Sequence, residues 1–222
     1  MIVAERKSIP ELIDILQAHN RILVLGCGTC VTVCLAGGER EVSIISSALR
    51  ITSRAQGFGF EVKELTIERQ CDNVFIEQAA EAIEKSDAVL SLGCGAGVQA
   101  IAERYLKKPV YAGLNTAFLG ILEERGVWTE KCAACGSCVL HEYGSICPVT
   151  RCAKHMLNGP CGGSREDRCE VRPDRACAWQ LIYQRLKGIG QLDRLNQIDL
   201  PKKWSSSLSG GPRVIIREDH RI

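Results

Sequence analysis

Between Lys131 and Cys177 the chain places eight cysteines: Cys132, Cys135, Cys138, Cys147, Cys152, Cys161, Cys169 and Cys177. The stretch is crowded with glycine and proline and has almost no hydrophobic periodicity. A segment of this kind buries too little apolar surface to offset the entropy of ordering it. Cross-links must hold it, either disulfides or metal ions. The chain of 222 residues carries 13 cysteines, an odd number. Its first residues, MIVAERKSIPELIDILQ, have early acids and read as an amphipathic helix rather than a signal peptide. A cytoplasmic location is therefore expected, where disulfides are disfavoured. Ligand cysteines are the expectation.

The spacing Cys132-x-x-Cys135-x-x-Cys138 lets three thiolates converge around one turn. With the later Cys147-Pro148 it is similar to the ligand run of bacterial [4Fe–4S] ferredoxins. The bacterial run sets its Cys-Pro closer, whereas here Cys147 follows Cys138 by nine residues, so a standard two-cluster ferredoxin is excluded. The same thiol spacings suit a tetrahedral zinc site. His141 and His155 lie in the stretch and read as further ligands or as solvated loop residues.

Net charge is +2 with both signs interspersed, which leaves no basic footprint for nucleic acid. No apolar run reaches the length of a membrane span. The length allows one ordinary domain and a smaller one.

Upstream, the pattern is α/β. Ser8 and Glu11 form a capping-box spacing with Pro10 in the first turn. Apolar runs at 22–25, 60–67, 88–92 and 110–112 read as strands, and 39–54, 74–85 and 98–106 as helices. Strands alternating with helices of this length predict βαβ units. The expected fold is a Rossmann-like parallel sheet covered by helices over 1–127, with a chain boundary near 126–129. A cysteine-rich iron–sulfur module with a C-terminal helix is expected over 128–190. A tail follows over 191–222, with Val214 to Ile216 strand-like and Trp204 as a candidate anchor for a partner subunit.

The tetrapeptide Leu-Gly-Cys-Gly occurs twice, at 25–28 and 92–95, each copy after a predicted strand. Ligands of open α/β sheets bind at the carboxyl ends of the strands. Cys27 and Cys94 are therefore expected on one sheet edge, with Cys71 arriving there after the second strand. Cys30 and Cys34 follow Cys27 at helical spacing. Gly26, Gly28, Gly93 and Gly95 would let the backbone approach a cofactor. Buried cysteine packed as a small hydrophobe is the alternative for these thiols. Neither loop completes a dinucleotide-binding fingerprint, and no acid–base constellation supports a cysteine nucleophile.

The segments CAACGSCVLHEYGSICPVTRCAKHMLNGPCGG and CEVRPDRACAWQLIYQRLK resemble the methylenetetrahydrofolate reductase C-terminal family. GCGTCVTVCLAGGEREV, ERQCD and SLGCGAGVQ resemble its small iron–sulfur subunits, the MetV type. The resemblance implies [4Fe–4S] clusters, two or three by the thiol count, with zinc admitted in one region. It implies a flavin-bearing MetF-type partner that reduces methylene- to methyl-tetrahydrofolate in the Wood–Ljungdahl pathway, no flavin on this chain, and room for a further electron-input subunit. The expected role is one-electron transfer to or from that flavin, without C1 chemistry of its own. An adaptor for another flavoprotein or a heterodisulfide-reductase-like complex, and a zinc-held scaffold, are the alternatives.

Overall fold

The computed structural model describes residues 1–220, so the last two residues of the tail lie outside the described residues. The fold is mixed α/β and divides into two compact units, the first spanning Met1–Thr129 and the second beginning at Glu130.

The first unit is built on a parallel sheet of β2 (Arg21–Cys27), β3 (Glu61–Ile67), β4 (Ala88–Ser91) and β5 (Val110–Ala112), in the order β3-β2-β4-β5. Residues alternate across β2. Ile22 and Val24 pack on one face with Leu12 and Leu16 of α1 (Ile9–Leu16) and with Val42, Ile45 and Leu49 of α3 (Glu39–Gln56). Leu23 and Leu25 pack on the other with Ile76 of α4 (Asn73–Glu77), Ile83 of α5 (Ala80–Lys85) and Ile101 of α6 (Gly95–Arg104). β2 and β4 are solvent-free on both faces, which is why they read as continuous apolar runs. Because β3 lies on one side of β2 and β4 on the other, the strand order reverses between β2 and β4. The loops leaving these two strands are the two Leu-Gly-Cys-Gly copies.

Several expectations need correction. The first residues form an edge strand, β1 (Ile2–Arg6), before helix α1 begins behind the Ser8 cap. β1 pairs antiparallel with β6 (Leu114–Glu124), and β6 with β7 (Val127–Cys132), in a second sheet of three strands. The boundary expected near 126–129 falls after Thr129, and Gly126, at φ +89°, is in the turn of this hairpin. The helix expected over 74–85 is two pieces, because Gln78 and Ala79 bond back to Phe75 and Ile76 at the tighter three-residue spacing. Ile51 is 70% exposed and not part of the core.

In the second unit the regular elements are α7 (Pro148–Arg151) and α8 (Ala178–Gly188), besides the end of β7. Trp179, Ile182 and Leu186 of α8 bury against Tyr143, in a core far smaller than that of the first unit. The tail makes short 3-10 turns at Leu192–Asn196, Trp204–Ser206, Leu208–Gly210 and Glu218–His220. Val214, Ile215 and Ile216 are exposed and belong to no strand among the described residues.

Candidate metal centres

The carboxyl edge of the parallel sheet gathers thiols from three loops. Cys27 ends β2, Cys71 follows β3, and Cys94 caps α6 after β4. Cys27 is buried, Cys94 half-buried and Cys71 exposed, so the group runs from the sheet edge out to the surface. The Cys27 sulfur lies 3.9 Å from the Glu68 carbonyl, in the loop that carries Cys71. Partial desolvation pushes the Cys71 thiol up, and the neighbouring Cys94 and Cys27 thiols push it further in the same direction. Cys30 opens the one-turn helix α2 (Cys30–Val33), two residues beyond Gly28.

Cys34 has different surroundings. Its helix ends at Val33, so the expected i, i+3, i+7 face does not continue, and Leu35 turns back at φ +55°. The Cys34 sulfur lies 3.7 Å from the Ala4 carbonyl and 3.6 Å from that of Val31, inside the core. Burial pushes this thiol up.

The four glycines divide into two pairs. A Cβ on Gly26 would stand 2.5 Å from Thr66 Oγ1 and 2.6 Å from Val42 Cγ2, and one on Gly93 would stand 2.4 Å from Gln70 Oε1. Those two glycines are required by packing within the protein. Gly28 and Gly95 meet nothing closer than 3.4 Å and 3.7 Å, so their backbone is accessible from the strand-end side. The Gly95 N–H donates to Thr116 Oγ1 at 2.8 Å.

Gln70 is the residue that sequence reasoning missed. It is 1% exposed; its Nε2 donates to the Leu25 carbonyl at 2.7 Å and its Oε1 accepts from Ser91 Oγ at 2.5 Å. One side chain thus ties the loop that precedes Cys71 to both strands that carry Leu-Gly-Cys-Gly. The only available signal was a polar residue directly before Cys71, which by itself says nothing about burial.

In the second unit Cys152, Cys161, Cys169 and Cys177 line one cavity of about 20 Å³ together with Trp179. Cys177 is the N-cap of α8, and Cys152 the C-cap of α7, so short helices fix two of the four. Cys161 Sγ lies 3.4 Å from Glu170 Oε1, and Glu170 pairs with Lys154. Hydrogen bonding from Lys154 and Cys161 holds the Glu170 carboxyl below its ordinary range.

Cys132, Cys135 and Cys138 lie on a separate loop with two left-handed residues, Ala134 at φ +49° and Gly136 at φ +80°. The Ala134 N–H donates to the Cys132 sulfur at 3.3 Å. The tail crosses this loop: Ser206 Oγ donates to the Cys135 carbonyl at 3.1 Å, Arg213 to that of Ala134 at 2.6 Å, and Lys202 to that of Ser137. Cys147 sits at the start of α7 with its sulfur 3.6 Å from Thr150 Oγ1. His155 places Nδ1 2.5 Å from the Val149 carbonyl, and His141 pairs with Glu142.

Among the described residues, no three Cys, His, Asp or Glu side chains stand close enough to close on one metal ion. The thiols are grouped by the fold without being drawn to a point. Among the described residues, no helix is long and apolar enough to cross a membrane.

A family model described as methylene-tetrahydrofolate reductase C terminal matches residues 111–205, a little under half of the chain. No curated protein and no solved structure matches the chain.

Proposed function

We propose that this chain is the iron–sulfur electron-transfer subunit of a methylenetetrahydrofolate reductase of the MetV–MetF type. The observation that carries the reading is the gathering of Cys27, Cys71 and Cys94 at the switch point of a parallel sheet, from loops far apart in sequence. Thiols packed only as small hydrophobes would be uniformly buried, and Cys71 is exposed. Cys30, one turn away, would complete a set of four. The reductase assignment rests on the family match, which covers all eight cysteines of the second unit.

The donor set fits a [4Fe–4S] cluster, whose corners are taken by four thiolates. Cys27, Cys30, Cys71 and Cys94 would hold it, with room beside Gly28 and Gly95, whose N–H groups already donate to the Ile67 carbonyl and to Thr116 Oγ1. Such a cluster supplies one-electron transfer. The chain's own contribution is to hold the thiolates on a rigid sheet edge, to bury one side of the site, and to lock the loops through Gln70. Burial and backbone N–H groups near sulfur set the potential. The flavin chemistry belongs to the partner subunit.

The second unit favours a different occupant for one set. Four of the residues lining this cavity are thiols, and its about 20 Å³ is room for about one water molecule, which suits a single ion better than a four-iron cube once the thiols draw together. Zinc held by Cys152, Cys161, Cys169 and Cys177 is the reading for that cavity. Iron, zinc and acid-labile sulfide measured on anaerobically purified protein test both assignments. Iron with matching sulfide, lost in Cys94→Ser, and zinc, lost in Cys169→Ser, are expected. Zinc without sulfide would overturn electron transfer and leave a scaffold subunit.

A further inference from the structure

The second unit has a larger cavity that the thiols do not line. It measures about 420 Å³, within the size range of small-molecule sites, and Asn158, Gly159 and Pro160 form part of its wall. These residues precede Cys161 in the Asn-Gly-Pro-Cys run. Cys161 serves the thiol cavity, and the three residues before it have no part in that cavity. Three aromatic residues also line it. Tyr143 and Trp179 meet edge to face with centroids 5.7 Å apart, and Tyr183 stands beside them 41% exposed.

The polar groups of the wall are of two kinds. Some are already matched: Trp179 Nε1 donates to the Met156 carbonyl, Glu142 pairs with Arg194 and His141, and Asn158 and Asp199 bond reciprocally. Others remain open. Among the described residues, Asp199 accepts from the Tyr143 hydroxyl through Oδ2 with no bond at Oδ1, Gln180 donates to Ser164 with no bond at its carbonyl, and the Gln197 amide makes no side-chain hydrogen bond. The open groups are mainly acceptors. Glu142 and Asp199 against Arg194 leave the wall with an excess carboxylate, which opposes a phosphate at the ring.

We propose that this cavity binds a planar nitrogen heterocycle, stacked against the exposed Tyr183 with its edge toward Trp179, that presents ring N–H donors to Asp199, Gln180 and Gln197. Trp179 also lines the thiol cavity, so the ring would lie across one indole from the thiols. The site does not depend on what metal the thiols hold.

Pteridines, purines and isoalloxazines share this chemistry. Pterin, guanosine and lumichrome, each with a ring N–H, are the probes that separate them, titrated into the full chain by calorimetry and by fluorescence of a Trp128→Phe/Trp204→Phe background that leaves Trp179 as reporter. One probe is expected to bind saturably, with affinity falling at least tenfold in Tyr183→Ala and in Gln197→Ala, both at exposed positions. Adding a phosphate to that probe is expected to weaken it. No saturation by any probe up to about 1 mM, the weak end of ordinary affinity, would overturn the proposal. Binding unchanged in both variants would overturn it equally. Metal and sulfide content of the same preparation keep this result separate from the fate of the electron-transfer reading.

Discussion

At the scale of single residues, tight backbone approaches make the firmest predictions. Gly37, in the turn after α2, accepts the Cys27 N–H at 3.0 Å, and a Cβ there would stand 1.9 Å from the Leu92 carbonyl. It sits between the two Leu-Gly-Cys-Gly loops, although nothing in AGGER distinguishes it from its neighbour. Gly37→Ala should cost about 3 kcal/mol or more, because the obstacle is backbone and cannot rotate away; urea unfolding measures it. Charge gives a smaller effect. The Arg21 guanidinium and backbone N–H hold the Asp87 carboxyl below the ordinary aspartate value. A carboxyl lowered on folding contributes stability above its unfolded value of about 3.9, and that stability is lost as pH falls through the lowered folded value. In Asp87→Asn the fall in urea midpoint between about pH 5 and pH 3 should be shallower than in the parent chain.

The elements differ in how much their own sequence says. Strands β2 and β4 were legible because burial on both faces makes them uninterrupted apolar runs. β1, β6 and β7 were not: β6 is mostly exposed along LNTAFLGILEE, and its pairing with β1 joins residues more than a hundred apart. Propensity cannot supply a partner that distant. The sequence offers the tail as an anchor for a partner subunit, whereas in the structure Lys202, Ser206 and Arg213 bind the Cys132–Cys138 loop through its carbonyls, and Gly136 lies against the Ser206 carbonyl. A chain ending at Leu200 should therefore keep its helices while amides in the 134–137 turn exchange faster. Hydrogen exchange with mass spectrometry would show this, and unchanged protection there would mean the strap holds nothing.

For the whole molecule the two units should differ in what stabilises them. The first has apolar layers on both sides of its sheet, whereas the second rests on a few residues around Trp179. A small core of that kind depends on cross-links. Removing metal from the full chain by anaerobic chelation should therefore split thermal unfolding into two steps. The near-ultraviolet signal of Trp179 would be lost first, and helical ellipticity of the first unit later. A single unchanged transition after complete metal removal would show that the second unit stands without its thiol ligands.

The sequence by itself determined the alternation of strand and helix and the repeated Leu-Gly-Cys-Gly loops, since each follows from local periodicity. The tertiary structure decided which thiols share a place. It buried Cys34 and Cys27 in one core, with Cys27 at the carboxyl end of β2 near Cys94 and with Cys71 exposed, and it divided the downstream eight between one cavity and separate loops. Spacing along a chain limits which groups can meet. Only the packing of strand order, turns and buried side chains such as Gln70 selects which of them do.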